Sequence, residues 1–232
     1  MLRWGPERAR AGPWRGDREV AYLVPLPSAP APSPEFVRRC LVTLTDRGFA
    51  RVVTAALSPF EQAGFLAAGF AIEERLHLLG LDLGPPLPPL PDGLALRRAG
   101  RSRRRAVLAV DRMAFSSFWA FDGQSLSDAI AATARTRFRV AVGADGGVAG
   151  YAICGRAGVR GFVQRLAVDP TRQRQGTGRL LLLDGLHWLR RRGVPRAVVN
   201  TQVGNDAAMA LYLAAGFRED PSGLSVLSAG LR

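Results

Sequence analysis

Two glycines between a strand-like and a helix-like segment have the spacing that most directly indicates chemistry. Gly176 and Gly178 lie in the run QRQGTGR, between the apolar stretch 162–168 and the segment LLLLDGLHWLRRR, which has helical length and composition. The first backbone amides of a helix have no partner within it and point outward at the positive end of its dipole. Glycine has no Cβ to block a phosphate from those amides. The run therefore predicts a pyrophosphate-binding site.

The glycine spacing differs from that of two other phosphate-binding loops. A dinucleotide-binding fingerprint would need a third glycine and an acidic residue at the end of the next strand, and a Walker A loop would need Lys followed by Ser or Thr. The sequence contains neither pattern here. Arg172, Arg174 and Arg179 instead add positive charge around the glycines, which favours an anionic ligand.

A second motif follows the glycine run, the segment NDAAMALYLAAGF at 205–217. Together with the Q-x-x-G-x-G spacing and the preceding Val-Asp-Pro turn, it resembles the GCN5-related N-acetyltransferase (GNAT) family, which transfers an acetyl group from acetyl-coenzyme A to an amine. The resemblance covers roughly the C-terminal three-fifths of the chain, from about Leu94 onward. The pattern VDPxxQRQGxGR and the run FSSFW at 115–119 are nearest to the bacterial ribosomal-protein alpha-amino acetyltransferases.

The resemblance implies a role for each matching residue, and it implies no metal. Backbone amides around the glycines would hold the coenzyme A pyrophosphate, and the strand before them would pair with the pantetheine arm. Tyr212 would be the general acid that protonates the leaving thiolate, a task that suits a phenol because its pKa of about 10 lies above that of a thiol. Taken alone, Tyr212 also fits a core position, and Asn205 also fits a helix N-cap. The implied cofactor-binding residues are Leu166, Ala167, Val168, Arg174, Gln175, Gly176, Thr177, Gly178, Arg179 and Asn205.

One departure from the resembling branch concerns the general base. That branch carries a glutamate on the strand before the tyrosine helix, which deprotonates the incoming ammonium through water. Here the strand reads RAVVNTQV, and Asn200 stands at that position. An amide cannot take up that proton. Four alternatives stay open: an aspartate such as Asp111 or Asp122 on the acceptor side, a water chain with backbone carbonyls, an acceptor that arrives neutral, or lost catalysis.

The composition limits the class of protein. A hydrophobic content of 47% in 232 residues predicts a folded chain. No apolar run reaches the ~18–20 residues of a membrane helix, and the N-terminus lacks the apolar segment of a signal peptide. Cys40 and Cys154 lie far apart and indicate neither a disulfide framework nor a zinc site. We therefore expect a cytoplasmic protein with no membrane partner.

The net charge of +13 comes entirely from arginine, since the chain has no lysine. This composition is typical of a GC-rich genome, but an electropositive face would also favour RNA or a ribosome. Arginine clusters at 97–105 and 190–192 would supply such a face, although the second closes a predicted helix and the stacking aromatics of an RNA-binding module are missing. Nucleic acid or a ribosome is therefore a minor hypothesis beside a small-molecule amine or a protein N-terminus, and we expect a monomer or homodimer.

A proline-rich segment, GPPLPPLPDG at 84–93, predicts an extended linker. Residues 94–232 then correspond to one acetyltransferase domain, with helices near 102–113 and 125–136. The predicted class is α/β (α+β): the GNAT fold, a mixed central sheet flanked by helices. Residues 1–83 are left as a smaller unit.

The smaller unit repeats a pattern of the larger one. Residues 36–70 and 187–217 both read helix, Arg-Gly turn, β-branched strand, capped helix and then LAAGF. Aligned on the Gly-Phe pairs, Phe65 falls on Tyr212 and Ser58 on Asn205. An internal duplication explains this better than chance convergence. Prolines replace the glycine loop in the first copy, and proline offers no N–H to a phosphate, so residues 1–83 are predicted to be a degenerate half-domain with a structural role.

The predicted function is an acyl-CoA-dependent N-acetyltransferase that moves an acetyl group from acetyl-CoA to a primary amine, including a protein or peptide N-terminus, by direct transfer in a ternary complex. Two alternatives remain. A catalytically weak or inactive coenzyme-A-binding sensor or scaffold would keep the glycine loop and lose the base, as Asn200 allows. A basic ribosome- or RNA-associated protein would use the arginine surface.

Overall fold

The computed structural model describes residues 1–26 and 28–231, and the contacts of the chain divide it into two units. The first unit comprises Met1–Leu78, Asn200–Asn205 and Asp220–Arg232, and the second comprises Leu79–Val199 and Asp206–Glu219. The predicted division at a linker of residues 84–93 stays a prediction.

The helices and strands alternate through most of the chain. The strands and helices up to residue 83 are β1 (Leu2–Trp4), β2 (Glu7–Pro13), β3 (Val20–Pro25), α1 (Pro34–Asp46), β4 (Arg51–Thr54), α2 (Pro59–Ala67) and β5 (Ala71–Asp82). Those after it are β6 (Ala95–Arg98), α3 (Arg104–Ala114), α4 (Gly123–Ala131), β7 (Arg135–Val142), β8 (Val148–Ala157), β9 (Arg160–Val168), α5 (Thr177–Arg191), β10 (Arg196–Gln202), α6 (Asp206–Ala214) and β11 (Arg218–Gly230). The predicted class, a mixed sheet flanked by helices, is confirmed.

Each unit has a mixed sheet. In the first, the strand order includes β1-β2-β3-β4-β11, with β3 and β4 parallel and the other pairs antiparallel. In the second, the order includes β10-β9-β8-β7-β6, with only β9 and β10 parallel. Strands β5, β10 and β11 each contribute residues to both units.

The second unit buries apolar side chains on both faces of its sheet. Alternation along β8 sends Tyr151 and Ile153 into a cluster with α3 and α4, and sends Cys154 into a cluster with α5 and α6. Helix α5 is buried along most of its length, from Thr177 to Leu189, which is why its sequence shows a nearly continuous apolar run.

The helix predicted at 125–136 is shorter in the structure, where α4 ends at Ala131 and β7 begins at Arg135. The hydroxyl of Thr136 donates to the carbonyl of Ile130 at 2.7 Å. Local bonds of this kind give the backbone an alternative to another helical turn.

The two LAAGF segments have the same backbone structure. After α2, Phe70 N donates to Phe65 O at 3.1 Å and Gly69 has φ +96°. After α6, Phe217 N donates to Tyr212 O at 3.1 Å and Gly216 has φ +93°. In each unit the segment follows two parallel strands joined by a helix, β3-α1-β4 and β9-α5-β10. This repetition agrees with the predicted duplication.

One glycine in the first copy is required by close packing. A Cβ at Gly64 on α2 would lie 1.8 Å from the carbonyl oxygen of Pro32, in the chain that leads into α1. At the corresponding position the second copy has Leu211, whose Cδ2 lies 3.3 Å from the position of a Cβ on Gly178. The chain before α1 therefore packs directly onto α2 in the first copy.

We expect Gly64→Ala to lower the free energy of unfolding by about 2 kcal/mol, because overpacking against a backbone carbonyl outweighs the better helix propensity of alanine. Urea unfolding would measure the change. Gly230→Ala is the matched control, since its Cβ would meet no atom within 4 Å. Equal stabilities of the two variants would contradict the packing argument.

Candidate functional site

The glycine run forms a tight turn between β9 and α5. Asp169 accepts hydrogen bonds from the Thr171 amide at 2.9 Å and its hydroxyl at 2.7 Å, which fixes the chain as it leaves the strand. Arg174 and Gly176 then adopt left-handed conformations, with φ of +63° and +78°. Gly176 is the N-cap of α5 and has no side chain with which to cap the helix. The first amides of α5 are therefore open to an external anion.

Thr177, the first residue of α5, carries a buried hydroxyl. The residue is 2% exposed, and within the described part of the chain its Oγ1 has no hydrogen-bond partner. A buried polar atom without a partner costs free energy, and this one lies at the N-terminus of α5.

The three arginines around the glycines differ in their surroundings. Arg172 is bound by Asp145, with Nη1–Oδ1 at 3.0 Å and Nη2–Oδ2 at 2.5 Å, and this pairing lowers the pKa of Asp145 to about 2. Its charge is thus partly neutralised within the protein. Arg174 and Arg179 are exposed, as are Gln175 and Gly176.

Strand β9 has one paired edge and one open edge beside this turn. Its pairing with β10 covers only Arg160–Phe162 against Arg196–Val198. Its pairing with β8 continues to the end of the strand, where Leu166, Ala167 and Val168 lie opposite Ala152, Tyr151 and Gly150, and the register shifts between Ile153 and Cys154. The backbone groups on the other edge of 166–168 can bind an extended ligand in the way a neighbouring strand would.

Tyr212 is held in the core of the second unit. The residue is 5% exposed, lies in the same apolar cluster as Leu166 and contacts Phe217 with ring centroids 5.7 Å apart. Burial raises the pKa of the phenol above its usual value, so it keeps its proton at neutral pH, as a proton donor must. The structure thus brings Tyr212 and Leu166 into one cluster, and their roles stay predictions.

Asn205 and Asn200 belong to the first unit. The Asn205 amide donates to the carbonyl of Gln202 at 3.1 Å, and the residue immediately precedes α6. Asn200 is an exposed residue of β10. The predicted contact of Asn205 with the pantetheine arm stays a prediction.

Both aspartates considered as general bases have structural partners. Asp111 is fully buried and accepts four hydrogen bonds: two from Arg165, one from the Tyr151 hydroxyl and one from the Phe121 amide. Its lone pairs are occupied, which argues against a role in taking a proton from an acceptor.

Asp122 caps α4, where it accepts from the Ser125 amide at 2.7 Å. Arg165 and Tyr151 were not identified from the sequence, because nothing local marks a contact between residues this far apart.

The buried cysteines offer no nucleophile. Cys154 is 1% exposed, and burial raises the pKa of its thiol to about 12. Its Sγ lies 2.3 Å from the position of a Cβ on Gly185, so it fills the space against α5. Cys40 is 2% exposed with a pKa of about 12 for the same reason. Thiolates attack and thiols do not, so both side chains act as apolar core residues.

The corresponding helix terminus in the first unit is closed by the protein itself. Ser33 caps α1 and accepts from the Phe36 amide at 3.2 Å. The carboxylate of Glu7, 8% exposed, accepts from the Ser33 amide at 2.5 Å and from its hydroxyl at 3.0 Å. A negative charge at a helix N-terminus is favourable. The first copy thus carries an internal anion at the place where the second copy has an open turn.

In residues 1–26 and 28–231 no three potential metal ligands come together, and no helix is both long and apolar enough to cross a membrane.

Comparison with known proteins identifies the region that carries these features. Residues 106–217 match the acetyltransferase (GNAT) family. This part of the chain is a GNAT domain. The match contains the glycine turn, the open edge of β9 and Tyr212, and the predicted family is confirmed.

Three relatives show how far the similarity extends. The mycothiol acetyltransferase of Nocardioides sp. is 30% identical over 173 residues, which cover 64% of this chain and 59% of that protein. The [ribosomal protein bS18]-alanine N-acetyltransferase of Escherichia coli is 46% identical over 54 residues, 23% of this chain and 36% of that one. A tandem GNAT protein from the clavulanic acid biosynthesis pathway has a similar structure, with a TM-score of 0.69 at 16% identity over 92% of this chain and 76% of that chain. The last similarity is one of fold, and it fits two GNAT-like copies in one chain.

We expect Gly176→Asp to abolish binding of acetyl-CoA, because the carboxylate would stand among the amides that are open to an anion, in a backbone conformation that side chains rarely adopt. Calorimetry and the shift of the melting temperature on addition of acetyl-CoA would measure the loss. Gly158→Asp is the matched control, since Gly158 also has a positive φ and open space around its Cβ position. Undiminished binding in Gly176→Asp would show that the turn is not the site.

We also expect the full chain to bind one coenzyme A, with none in the first unit. The carboxylate of Glu7 already supplies a negative charge at the N-terminus of α1. Isothermal titration would give the stoichiometry. A second saturable site that survives Gly176→Asp would contradict the assignment of the first unit as a degenerate copy.

Proposed function

We propose that the protein is a cytoplasmic acyl-CoA-dependent N-acetyltransferase that uses acetyl-CoA to acetylate a primary amine by direct transfer. The observation that carries the proposal is the uncapped left-handed turn at Gly176 beside the open edge of β9. The first amides of α5 suit a pyrophosphate, and the open edge of β9 suits an extended chain that contains amides. Coenzyme A contains both groups. Membership of the GNAT family supports the same conclusion.

Most of the site residues bind the cofactor, and one of them transfers a proton. The amides at 174–179, with the exposed side chains of Arg174 and Arg179, bind the pyrophosphate. The backbone at 166–168 pairs with the pantetheine arm and polarises the thioester carbonyl, and Asn205 contacts the same arm. The amine nitrogen bonds to the carbonyl carbon and the C–S bond breaks. Tyr212 donates its proton to the departing sulfur and regains one released by the amine.

Two acceptor classes follow from the names of the relatives. One relative acetylates the alanine of a ribosomal protein, and others are mycothiol acetyltransferases. We infer that the acceptor is a small-molecule amine or a protein N-terminus. A panel containing an alanine-initiated peptide, 2-phenylethylamine and mycothiol lacking its acetyl group would separate these classes, with release of the coenzyme thiol as the readout.

We expect Tyr212→Phe to lower turnover by roughly ten- to a thousandfold, because the variant keeps the packed ring and loses the proton donor. The affinity for acetyl-CoA should barely change. Tyr22→Phe, which removes a phenol from the first unit, is the matched control and should keep full activity. Full activity in Tyr212→Phe would remove Tyr212 from the mechanism.

The substitution Asn200→Glu separates an enzyme from a sensor. It introduces the carboxylate that the resembling branch has on this strand. If a missing base limits the rate, the variant should be faster than wild type near neutral pH and closer to it at high pH, where the amine is already neutral. A sensor would show no turnover in the wild type with any amine, and no gain from the glutamate.

A further inference from the structure

The segment 115–122, which we call the aromatic loop, joins α3 to α4 and contains four aromatic side chains. Two of them enclose the guanidinium of Arg165. The Cζ of Arg165 lies 3.4 Å from the centroid of the Phe115 ring and 4.1 Å from that of Phe121. Arginine on an aromatic face gains a cation–π attraction that is stronger where water is excluded, and the Arg165 side chain is 12% exposed. One cation thus contacts the aromatic loop at both of its ends.

The ion pair between Arg165 and Asp111 also binds the main chain of the aromatic loop. Asp111 accepts from Arg165 through Nε–Oδ2 at 2.9 Å and Nη2–Oδ1 at 3.0 Å. Arg165 Nη2 donates to the carbonyl of Trp119 at 2.7 Å, and Asp111 accepts from the Phe121 amide at 2.5 Å. A buried bidentate pair is costly to break because the remaining charge loses its partner. The conformation of the loop therefore depends on Arg165 and Asp111 together.

Arg165 stands at the start of the open edge of β9. It is paired with Ile153, and the register shift in β8–β9 lies directly before it. The residues that follow it are Leu166, Ala167 and Val168. The residue that holds the aromatic loop thus lies in the same strand as the edge that is proposed to bind the pantetheine arm, and directly before that edge.

We propose that Arg165 is a positioning residue for the amine: together with Asp111 it holds the aromatic loop as one wall of the acceptor site, beside the cofactor edge of β9. This rests on the proposed acetyltransferase function. Because Nε and Nη2 of Arg165 donate to Asp111 and to the Trp119 carbonyl, and the guanidinium lies against two aromatic rings, Arg165 is assigned the role of shaping the wall rather than of binding the acceptor. Its loss should therefore weaken amine binding and leave acetyl-CoA binding intact.

The chain offers a matched control in a second bidentate pair. Arg137 on β7 donates to Asp184 on α5, with Nε–Oδ2 at 2.7 Å and Nη2–Oδ1 at 2.6 Å. The side chains are 18% and 6% exposed, similar to those of the Arg165 pair. This pair joins the sheet to the helix that follows the glycine turn. Arg139 Nε also lies 3.6 Å from Asp184 Oδ2. Arg137→Met therefore removes the bidentate partner of a buried carboxylate away from the aromatic loop, and a second cation remains near that carboxylate.

The test compares Arg165→Met, the milder Arg165→Lys and Arg137→Met in the full chain. Hydrogen–deuterium exchange would report the order of residues 115–122, calorimetry the affinity for acetyl-CoA, and thiol release at pH 9 the KM of an alanine-initiated peptide and of 2-phenylethylamine. In Arg165→Met we expect faster exchange in the loop and an amine KM raised by about tenfold or more, as for a misplaced binding wall. The dissociation constant of acetyl-CoA should change by less than about twofold.

Arg165→Lys should lie between Arg165→Met and wild type, because lysine keeps the charge and loses the planar bidentate fork. Arg137→Met should leave loop exchange and amine KM unchanged, although it too loses stability. Unchanged loop exchange in folded Arg165→Met and Arg165→Lys, an unchanged amine KM, or an equal rise in Arg137→Met would overturn the proposal. Absence of turnover in the wild type with every amine is a different result: it refutes the proposed function and the acceptor role with it, while exchange in the loop still shows whether Arg165 holds it.

Discussion

The early end of the register between β9 and β10 is the constraint on which the candidate site depends. Three parallel residue pairs join the strands, and β9 then continues to Val168 with β8 as its partner. An unpaired strand edge inside a protein is unfavourable unless something else binds its amides and carbonyls. The same strand leads directly into the turn at Gly176. The open edge and the open helix terminus thus follow one another along the chain, which is the arrangement that a long ligand with an anionic end requires.

The two copies show two solutions to one physical problem, the unsatisfied amides at the start of a helix. In the second copy α5 begins at a residue without a side chain, and its terminus is left for a ligand. In the first copy Ser33 caps α1 and Glu7 supplies the negative charge from within the protein. The close contact of Pro32 with Gly64 belongs to the same change, since it packs the chain before α1 directly onto α2. A helix that has gained its own anion no longer needs one from outside.

The sequence predicted the features that are local. The glycine spacing, the LAAGF repeat and the mixed α/β class depend on residues close together in the chain, and their patterns have a direct structural meaning. The end of α4 at Ala131 and the four donors to Asp111 depend on partners distant in the chain, and alternation of polar and apolar residues carries no signal for them. Asp111 illustrates the difference: from sequence it was an acidic residue available for catalysis, whereas in the structure it is the buried anchor of a loop.

The engagement of Asp111 and Asp122, together with the amide at Asn200, bears on which amine the site can use. If no other carboxylate removes the proton, the rate follows the fraction of acceptor that is already neutral. At pH 7.5 about a quarter of an α-amino group with a pKa of about 8 is neutral, against about one in a thousand of a lysine-type amine with a pKa of about 10.4. Equal intrinsic reactivity would then give the α-amino group an advantage of about two hundredfold. On that condition, having Asn200 in place of the glutamate of the resembling branch is least costly for a protein or peptide N-terminus, and most costly for an alkylamine.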